Sequence, residues 1–300
     1  MADRRDHRII DGKAVQQRLL AGIRAELEAA AETHPVGRLV SISIGPSPEI
    51  EVYVRNQARA AVTAGLPFEQ VVWEAAATQE ACKRKIAALN DDPSVLGIIL
   101  QRPVPAHIHV RSLQSAIHPL KDVEGMNPAS IGNIVYNDIA LAPCTAAAAV
   151  EMVRATGLPL PGLEVVMIGH SEIVGKPVAF LLMAEGATVT VCHHMTRSVA
   201  MHSRRADVVI VAVGKAHLIG PEMIKPGAAV IDIGINQVTD AAGKVRILGD
   251  VDTEAVREVA GWITPVPGGV GPVTVAMLMR NALTAHRRQV AAGWLEPARA

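Results

Sequence analysis

The run Val165-Val-Met-Ile-Gly169-His-Ser-Glu-Ile-Val-Gly175-Lys-Pro177 reads as a short apolar strand, a turn bounded by two glycines, and the start of a helix. A brief, uninterrupted apolar run bounded by turn residues suits a strand covered on both faces, as in a parallel sheet. Gly169 and Gly175 let the backbone approach an anion or a neighbouring chain closely, and a helix opening at Lys176-Pro177 aims its first amides at the same place. Runs of the same kind follow at Thr188 to Cys192, Val208 to Val213 and Ala229 to Ile233. The spacing predicts an α/β unit, a doubly wound parallel sheet of the Rossmann, dinucleotide-binding type. Glycine, five residues, glycine is not GxGxxG, so the turn alone is a weak fingerprint.

The end of the second strand, Cys192-His193-His194-Met-Thr196-Arg197, bears on the choice of dinucleotide. In doubly wound folds this point faces the adenosine ribose, where an acid favours NAD and a basic or neutral group admits a 2′-phosphate. His193, His194 and Arg197 stand there with no acid, so NADP is expected and NAD remains possible.

The residues before this unit alternate in the same way. Helical spacing covers Asp11 to Ala31, Ile50 to Ala64 and Thr78 to Leu89, with strands at Arg38 to Ile44, Gln70 to Glu74 and Val95 to Gln101. This βαβ pattern predicts an N-terminal domain over 1–140, with Tyr136 to Pro143 as linker, and a dinucleotide domain over 141–270 that opens with a helix over Thr145 to Thr156. Thr264-Pro-Val-Pro-Gly-Gly-Val-Gly-Pro-Val-Thr274 packs three prolines and three glycines ahead of a helix over 271–296, a rigid turn with backbone available to a ligand.

Composition narrows the class further. The 300 residues suit about two domains, half of them are apolar, and 29 basic residues balance 29 acidic ones. That balance argues against nucleic acid or an anionic membrane as partner. The charged opening lacks a following apolar region, and no window approaches a membrane span, so a cytoplasmic protein is expected. Cys82, Cys144 and Cys192 offer neither a disulfide framework nor a CxxC spacing. His107, His109 and His118 lack HxxxH spacing, so no metal is expected.

Several stretches together resemble one family along nearly the whole chain, the bifunctional methylenetetrahydrofolate dehydrogenase/methenyltetrahydrofolate cyclohydrolases. They are Val52-Tyr-Val-Arg-Asn56, Gly97-Ile-Ile-Leu-Gln101-Arg-Pro-Val-Pro105, Lys121-Asp-Val-Glu-Gly125, Pro143-Cys-Thr145, the Gly169 to Pro177 turn, Gly249-Asp-Val251 and the Thr264 to Thr274 loop. The resemblance implies an N-terminal folate-contributing domain, a Rossmann domain, a cleft between them, a C-terminal helix that returns to the first domain, and a homodimer. It implies a tetrahydrofolate one-carbon derivative as substrate. Tyr53, Gln57, Gln101 and Glu124 stand at its catalytic positions, and Tyr53, Gln101, Glu124, Pro265, Gly268 and Gly269 at its substrate-binding ones. The cofactor positions are Gly169, His170, Ser171, Ile173, Val174, Gly175, His193, His194, Arg197, Gly214, Ile235 and Thr274.

Five positions depart from the resembled pattern. Serine, two residues, Tyr-Val, two residues and lysine becomes Ile50, Tyr53-Val54 and Gln57, so the lysine is replaced by an amide. The aspartate that would hold the pterin is Glu124, and a following asparagine is Ser130. His170 stands where an arginine is frequent. Hydride loss from the methylene carbon needs no titrating group, whereas hydrolysis of the methenyl product must move protons. The expectation is therefore an NADP-dependent methylenetetrahydrofolate dehydrogenase with cyclohydrolase activity weak or lost. The alternatives are a fully bifunctional enzyme and a non-catalytic or repurposed folate-binding paralogue.

Overall fold

The computed structural model describes residues 8–239 and 243–297. In chain order the helices are α1 Gly12–Ala31, α2 Pro48–Ala64, α3 Gln79–Asp91, α4 Val110–Ala116, α5 Pro128–Val135, α6 Cys144–Arg154, α7 Gly175–Ala184, α8 Val199–Ser203, α9 Thr253–Val256 and α10 Val270–Ala291. The strands are β1 Arg38–Ile44, β2 Phe68–Trp73, β3 Val95–Leu100, β4 Glu164–Ile168, β5 Thr188–Cys192, β6 Val208–Val211, β7 Ala229–Asp232, β8 Asn236–Thr239, β9 Val245–Leu248 and β10 Trp262–Ile263. The chain forms two compact units, Arg18–Cys144 with Val275–Ala300, and Met1–Gln17 with Thr145–Thr274.

The first unit holds a parallel sheet in the order β2-β1-β3. β3 is buried throughout, as its unbroken run Val-Leu-Gly-Ile-Ile-Leu requires, and its two faces feed different cores. Leu39, Leu96 and Ile99 pack with Leu20, Ile23, Ala61, Met279 and Leu283, while Ile42, Ile98 and Leu100 pack with Cys82, Ile86 and Leu113. Pro48 occupies the first turn of α2, where a missing N–H costs nothing, and Gly65 ends the helix at φ 77°. The C-terminal stretch of α10 is tied into this unit through Asn281 Nδ2, which donates to the carbonyls of Val123 and Ala142 at 2.9 Å each, and Gln289 Nε2, which donates to Leu96 O at 2.7 Å.

The second unit carries a five-stranded parallel sheet in the order β10-β7-β6-β4-β5. β4 lies between β5 and β6, so the strand order reverses there, the switch point at which doubly wound sheets take their ligands. Residues 8–17 group with this unit. The reason is backbone pairing: Ile10 N donates to Ile263 O at 2.9 Å, Ile263 N to Arg8 O at 2.8 Å, and Gly12 N to Gly268 O at 3.0 Å.

β1 and β5 lie where the apolar pattern puts them. The short helices α4 and α5 and the β8–β9 hairpin escape it, being too short or too polar to show a period. β6 stops two residues before Val213, whose amide turns aside to the Asp250 carboxylate.

Candidate active site and dinucleotide site

In the first unit the polar groups converge on the carboxyl end of β3. Tyr53 and Gln57 are one turn apart on α2 and so share a face. Gln101, 7% exposed, donates from its backbone N to Ile42 O at 2.8 Å. Its side-chain Nε2 donates to Ser41 Oγ at 3.0 Å and to Gln57 Oε1 at 2.6 Å. Gln57 is thereby held against the strand end. Tyr53 is 58% exposed, and Ile50, at the position of the resembled serine, is turned into the core.

Glu124 reaches the same strand end, where Leu100 N donates to its Oε2 at 2.8 Å. Burial pushes its carboxyl up to about 7, against the opposing pull of the Leu100 bond and the Arg102 charge; Asp122 adds a further upward push. A carboxyl of that kind exists in both protonation states at neutral pH and can give or take a proton.

The neighbouring charged residues are scaffold. Lys121 is buried and donates from Nζ to Leu89 O at 2.9 Å and Asp92 O at 2.7 Å; its burial lowers its pKa. Buried Asp122 accepts from Asn127 N and Ser130 Oγ, both at 2.7 Å, and from Met126 N at 3.1 Å. The Ser130 hydroxyl is therefore engaged with Asp122. Burial, reinforced by the charges of Glu124 and Asp122, drives the Cys144 thiol well above its usual range, which suits a packed residue and not a nucleophile.

In the second unit, the two glycines of the β4–α7 turn are set by close packing. A Cβ on Gly169, which has φ 118°, would lie 2.2 Å from Ala212 O, and one on Gly175 would lie 2.1 Å from Gly169 O. The amides expected to face an anion are, however, partnered within the chain. Val174 N and Gly175 N donate to Ser171 Oγ at 3.2 and 3.3 Å, and Lys176 N donates to Ser171 O at 3.0 Å. A phosphate arriving there competes with Ser171, whose short polar side chain caps the turn. Ile173 and Val174 are half-buried.

At the end of β5, His193 N donates to Thr196 Oγ1 at 2.9 Å and Met195 N donates to His193 Nδ1 at 3.1 Å, fixing the turn and the imidazole together. His170, His193 and His194 lie side by side, with ring centroids 4.6 to 6.0 Å apart, and Arg197 is exposed beyond them.

In the loop after β6 the backbone amides are partnered within the chain. Gly214 N is engaged with Asp250 Oδ2 at 3.0 Å, together with Val213 N at 2.6 Å, while Lys215 N and Asn236 Nδ2 reach Asp250 Oδ1 at 2.8 and 2.9 Å. Asp232 in turn accepts from Gly234 N, Asp250 N and Val251 N, and its burial pushes its carboxyl up to about 6. These two carboxylates hold the carboxyl ends of β6 and β7. In the sequence, the signal for this role of Asp250 is an aspartate set among turn residues, Gly249-Asp-Val251. Ile235 is 57% exposed just beyond β7. Thr274 Oγ1 donates to Val270 O at 3.3 Å within α10. Pro265, Gly268 and Gly269 form the turn between β10 and α10, with Gly268 O accepting from Gly12 N.

A parallel sheet with a glycine-bounded turn at its switch point, joined to an α/β unit bearing a tyrosine, two glutamines and a titrating carboxyl, defines a two-unit protein of the nicotinamide-dinucleotide-binding class. Residues 10–124 match the family described as tetrahydrofolate dehydrogenase/cyclohydrolase, catalytic domain, and residues 143–290 match its NAD(P)-binding domain. The chain belongs to the tetrahydrofolate dehydrogenase/cyclohydrolase family. It is 99% identical, over 100% of both chains, to "Bifunctional protein FolD" of Rhodobacter capsulatus. It is 74% identical to "Bifunctional protein FolD 3" of Roseobacter denitrificans, over 96% of this chain and 99% of that one. Among solved structures it is similar to the Trypanosoma brucei N5,N10-methylenetetrahydrofolate dehydrogenase-cyclohydrolase complexed with NADP cofactor and inhibitor, at 38% identity and TM-score 0.85, covering 94% of this chain and 98% of that chain. The NAD(P)-binding domain and that NADP complex support NADP as the cofactor. Among the described residues no helix is long and apolar enough to cross a membrane.

Proposed function

We propose that the protein oxidises 5,10-methylenetetrahydrofolate to the 5,10-methenyl compound with NADP, and that it hydrolyses the methenyl product more slowly than a lysine-bearing relative would. The observation that carries this reading is the Gln57–Gln101 hydrogen bond: an amide that cannot titrate sits at the resembled lysine position, tied to a second amide. Hydride leaves the methylene carbon for nicotinamide C4, and the lone pairs of N5 and N10 stabilise the resulting cation. Tyr53, Gln57 and Gln101 then need only position the folate, and Glu124 can accept neighbouring pterin N–H groups with charge-assisted strength.

Hydrolysis asks for more. Water adds to the amidinium carbon, one nitrogen is expelled, and a proton is released. Acid–base assistance is worth typically 10²- to 10⁴-fold, and Gln57 supplies none.

A second reading, full bifunctionality, is favoured by Glu124. Its carboxyl titrates at about 7, so it can carry the proton that Gln57 cannot. It is also the reading that accords with the Rhodobacter relative's name.

In the second unit, His170, His193, His194 and Arg197 are assigned to the adenosine 2′-phosphate, and the turn from Gly169 to Gly175 to the pyrophosphate. The protein then binds NADP more tightly than NAD. A cytoplasmic homodimer completes the proposal, and sedimentation showing only monomer would count against that part.

The test assays the two steps separately. NADP reduction with methylenetetrahydrofolate should be readily measured, and methenyltetrahydrofolate decay should rise little above its uncatalysed rate. Fast decay moves the assignment to the second reading, and no turnover in either assay points to a repurposed paralogue.

A further inference from the structure

We propose that His170, His193 and His194 form a binding site for one divalent transition-metal ion of the zinc class. Sequence spacing does not reveal it, because the first histidine follows β4 and the other two follow β5. The parallel pairing of these strands, with Ile168 opposite Cys192, brings their carboxyl ends together. Each ring offers one nitrogen, and these three atoms all lie within 4.8 Å of one another.

Zinc–imidazole bonds are about 2.0–2.1 Å, which puts ligand nitrogens roughly 3.3 Å apart in a tetrahedral site. The rings therefore have to draw in somewhat. His170 and His194 are exposed and free to rotate toward His193, which is half-buried and fixed by the Met195 amide. One anchored imidazole with two exposed partners is a set that can close on an ion. The donors are neutral nitrogens with no carboxylate among them, a choice that suits zinc, nickel or copper and disfavours magnesium or calcium. Three protein ligands leave a fourth position for a water or phosphate oxygen.

His193 also provides a signature. Its Nδ1 accepts from Met195 N, so the neutral ring carries its proton on Nε2. A metal at Nε2 moves that proton to Nδ1 and deprives the Met195 amide of its acceptor. Metal binding is thereby written into a single backbone amide.

The experiment titrates Zn²⁺ into the full-length, chelator-treated, cofactor-free protein by calorimetry and follows the Met195 amide by NMR. The expected result is one ion per chain and a shift of that resonance. His170→Ala, His193→Ala and His194→Ala should each weaken binding roughly tenfold or more, the scale already lost when only an outer-shell partner of a metal is removed. Circular dichroism and thermal unfolding establish that each variant is folded, and the exposed His170→Ala and His194→Ala remain decisive if His193→Ala is not. Unchanged Zn²⁺ affinity in those variants, or no binding by the parent, overturns the proposal. NADP and NAD affinities measured separately in chelator test the 2′-phosphate assignment, so that assignment can fail while the metal site stands, and the reverse.

Discussion

Two carboxyls, one in each unit, are pushed upward by desolvation, Asp232 to about 6 and Glu124 to about 7, yet they serve different ends. Asp232 accepts from three backbone amides and joins the loop after β7 to the segment after β9. Among the described residues Glu124 accepts from one amide, that of Leu100, which leaves lone pairs for a ligand. Burial alone therefore does not separate a structural carboxylate from a working one. The number of hydrogen bonds already received does, because each lone pair already engaged is one fewer for a ligand.

The comparison can be broken at several points. The largest effect belongs to the working side: Gln57→Lys should raise methenyltetrahydrofolate hydrolysis by about 100-fold or more, the usual scale of acid–base assistance, while leaving NADP reduction within a few-fold. If Glu124 misplaces the pterin, the gain appears only with Glu124→Asp added, since errors near 1 Å can cost on the order of 100-fold. A hydrolysis rate unmoved in both variants means that position 57 does not limit the step.

On the structural side, Asp232→Ala should destabilise the protein by at least about 3 kcal/mol in chemical denaturation, because each of three buried amides left without an acceptor costs about 1–3 kcal/mol. Parent-like stability would remove Asp232 from the scaffold.

Glu124→Gln sharpens the contrast through pH. The folded-state value of about 7 lies above the ordinary 4.5, so the unfolded chain releases this proton first. The parent consequently loses stability as pH rises from about 4.5 through about 7, and the penalty is fully present above that. Glu124→Gln should equal the parent near pH 4 and exceed its stability at pH 8 by on the order of 1–3 kcal/mol. Over the same window the parent's folate affinity should rise with pH as the carboxylate forms, and the variant's should stay flat. Parallel pH curves for the two proteins would contradict the assignment.

The smallest effect is expected at Ser171. Ser171→Ala frees the Val174 and Gly175 amides at a cost of about 1 kcal/mol or less in thermal or denaturant stability. If those amides meet the dinucleotide, NADP affinity should change little or improve; a loss of tenfold or more would mean that the hydroxyl itself holds the cofactor.

Much of this was legible in the sequence, and the gaps have physical causes. The buried parallel strands announce themselves because both faces must be apolar, as Val95 to Leu100 and Val165 to Ile168 show. Gly169 and Gly175 mark a close backbone approach, and the neighbours are Ala212 O and Gly169 O. Gln57 and Gln101 could be paired only through the resemblance, since 44 residues separate them and neither side chain carries a pattern. The roles of Asp232, Asp250 and Ser171 were not legible, because a carboxylate or hydroxyl that accepts backbone amides looks the same in sequence as one that faces solvent. The three histidines beyond β4 and β5 were hidden for a related reason: strand pairing, not helical spacing, brings them together.

We propose that hydrolysis is slowed relative to oxidation at Gln57. The most direct test mixes the protein with NADP and 5,10-methylenetetrahydrofolate and follows NADPH and the methenyl compound in the same cuvette. The account predicts that the methenyl compound accumulates mole for mole with NADPH in the early phase. NADPH formation without that accumulation, the methenyl compound passing on to the formyl product as fast as it forms, would contradict it.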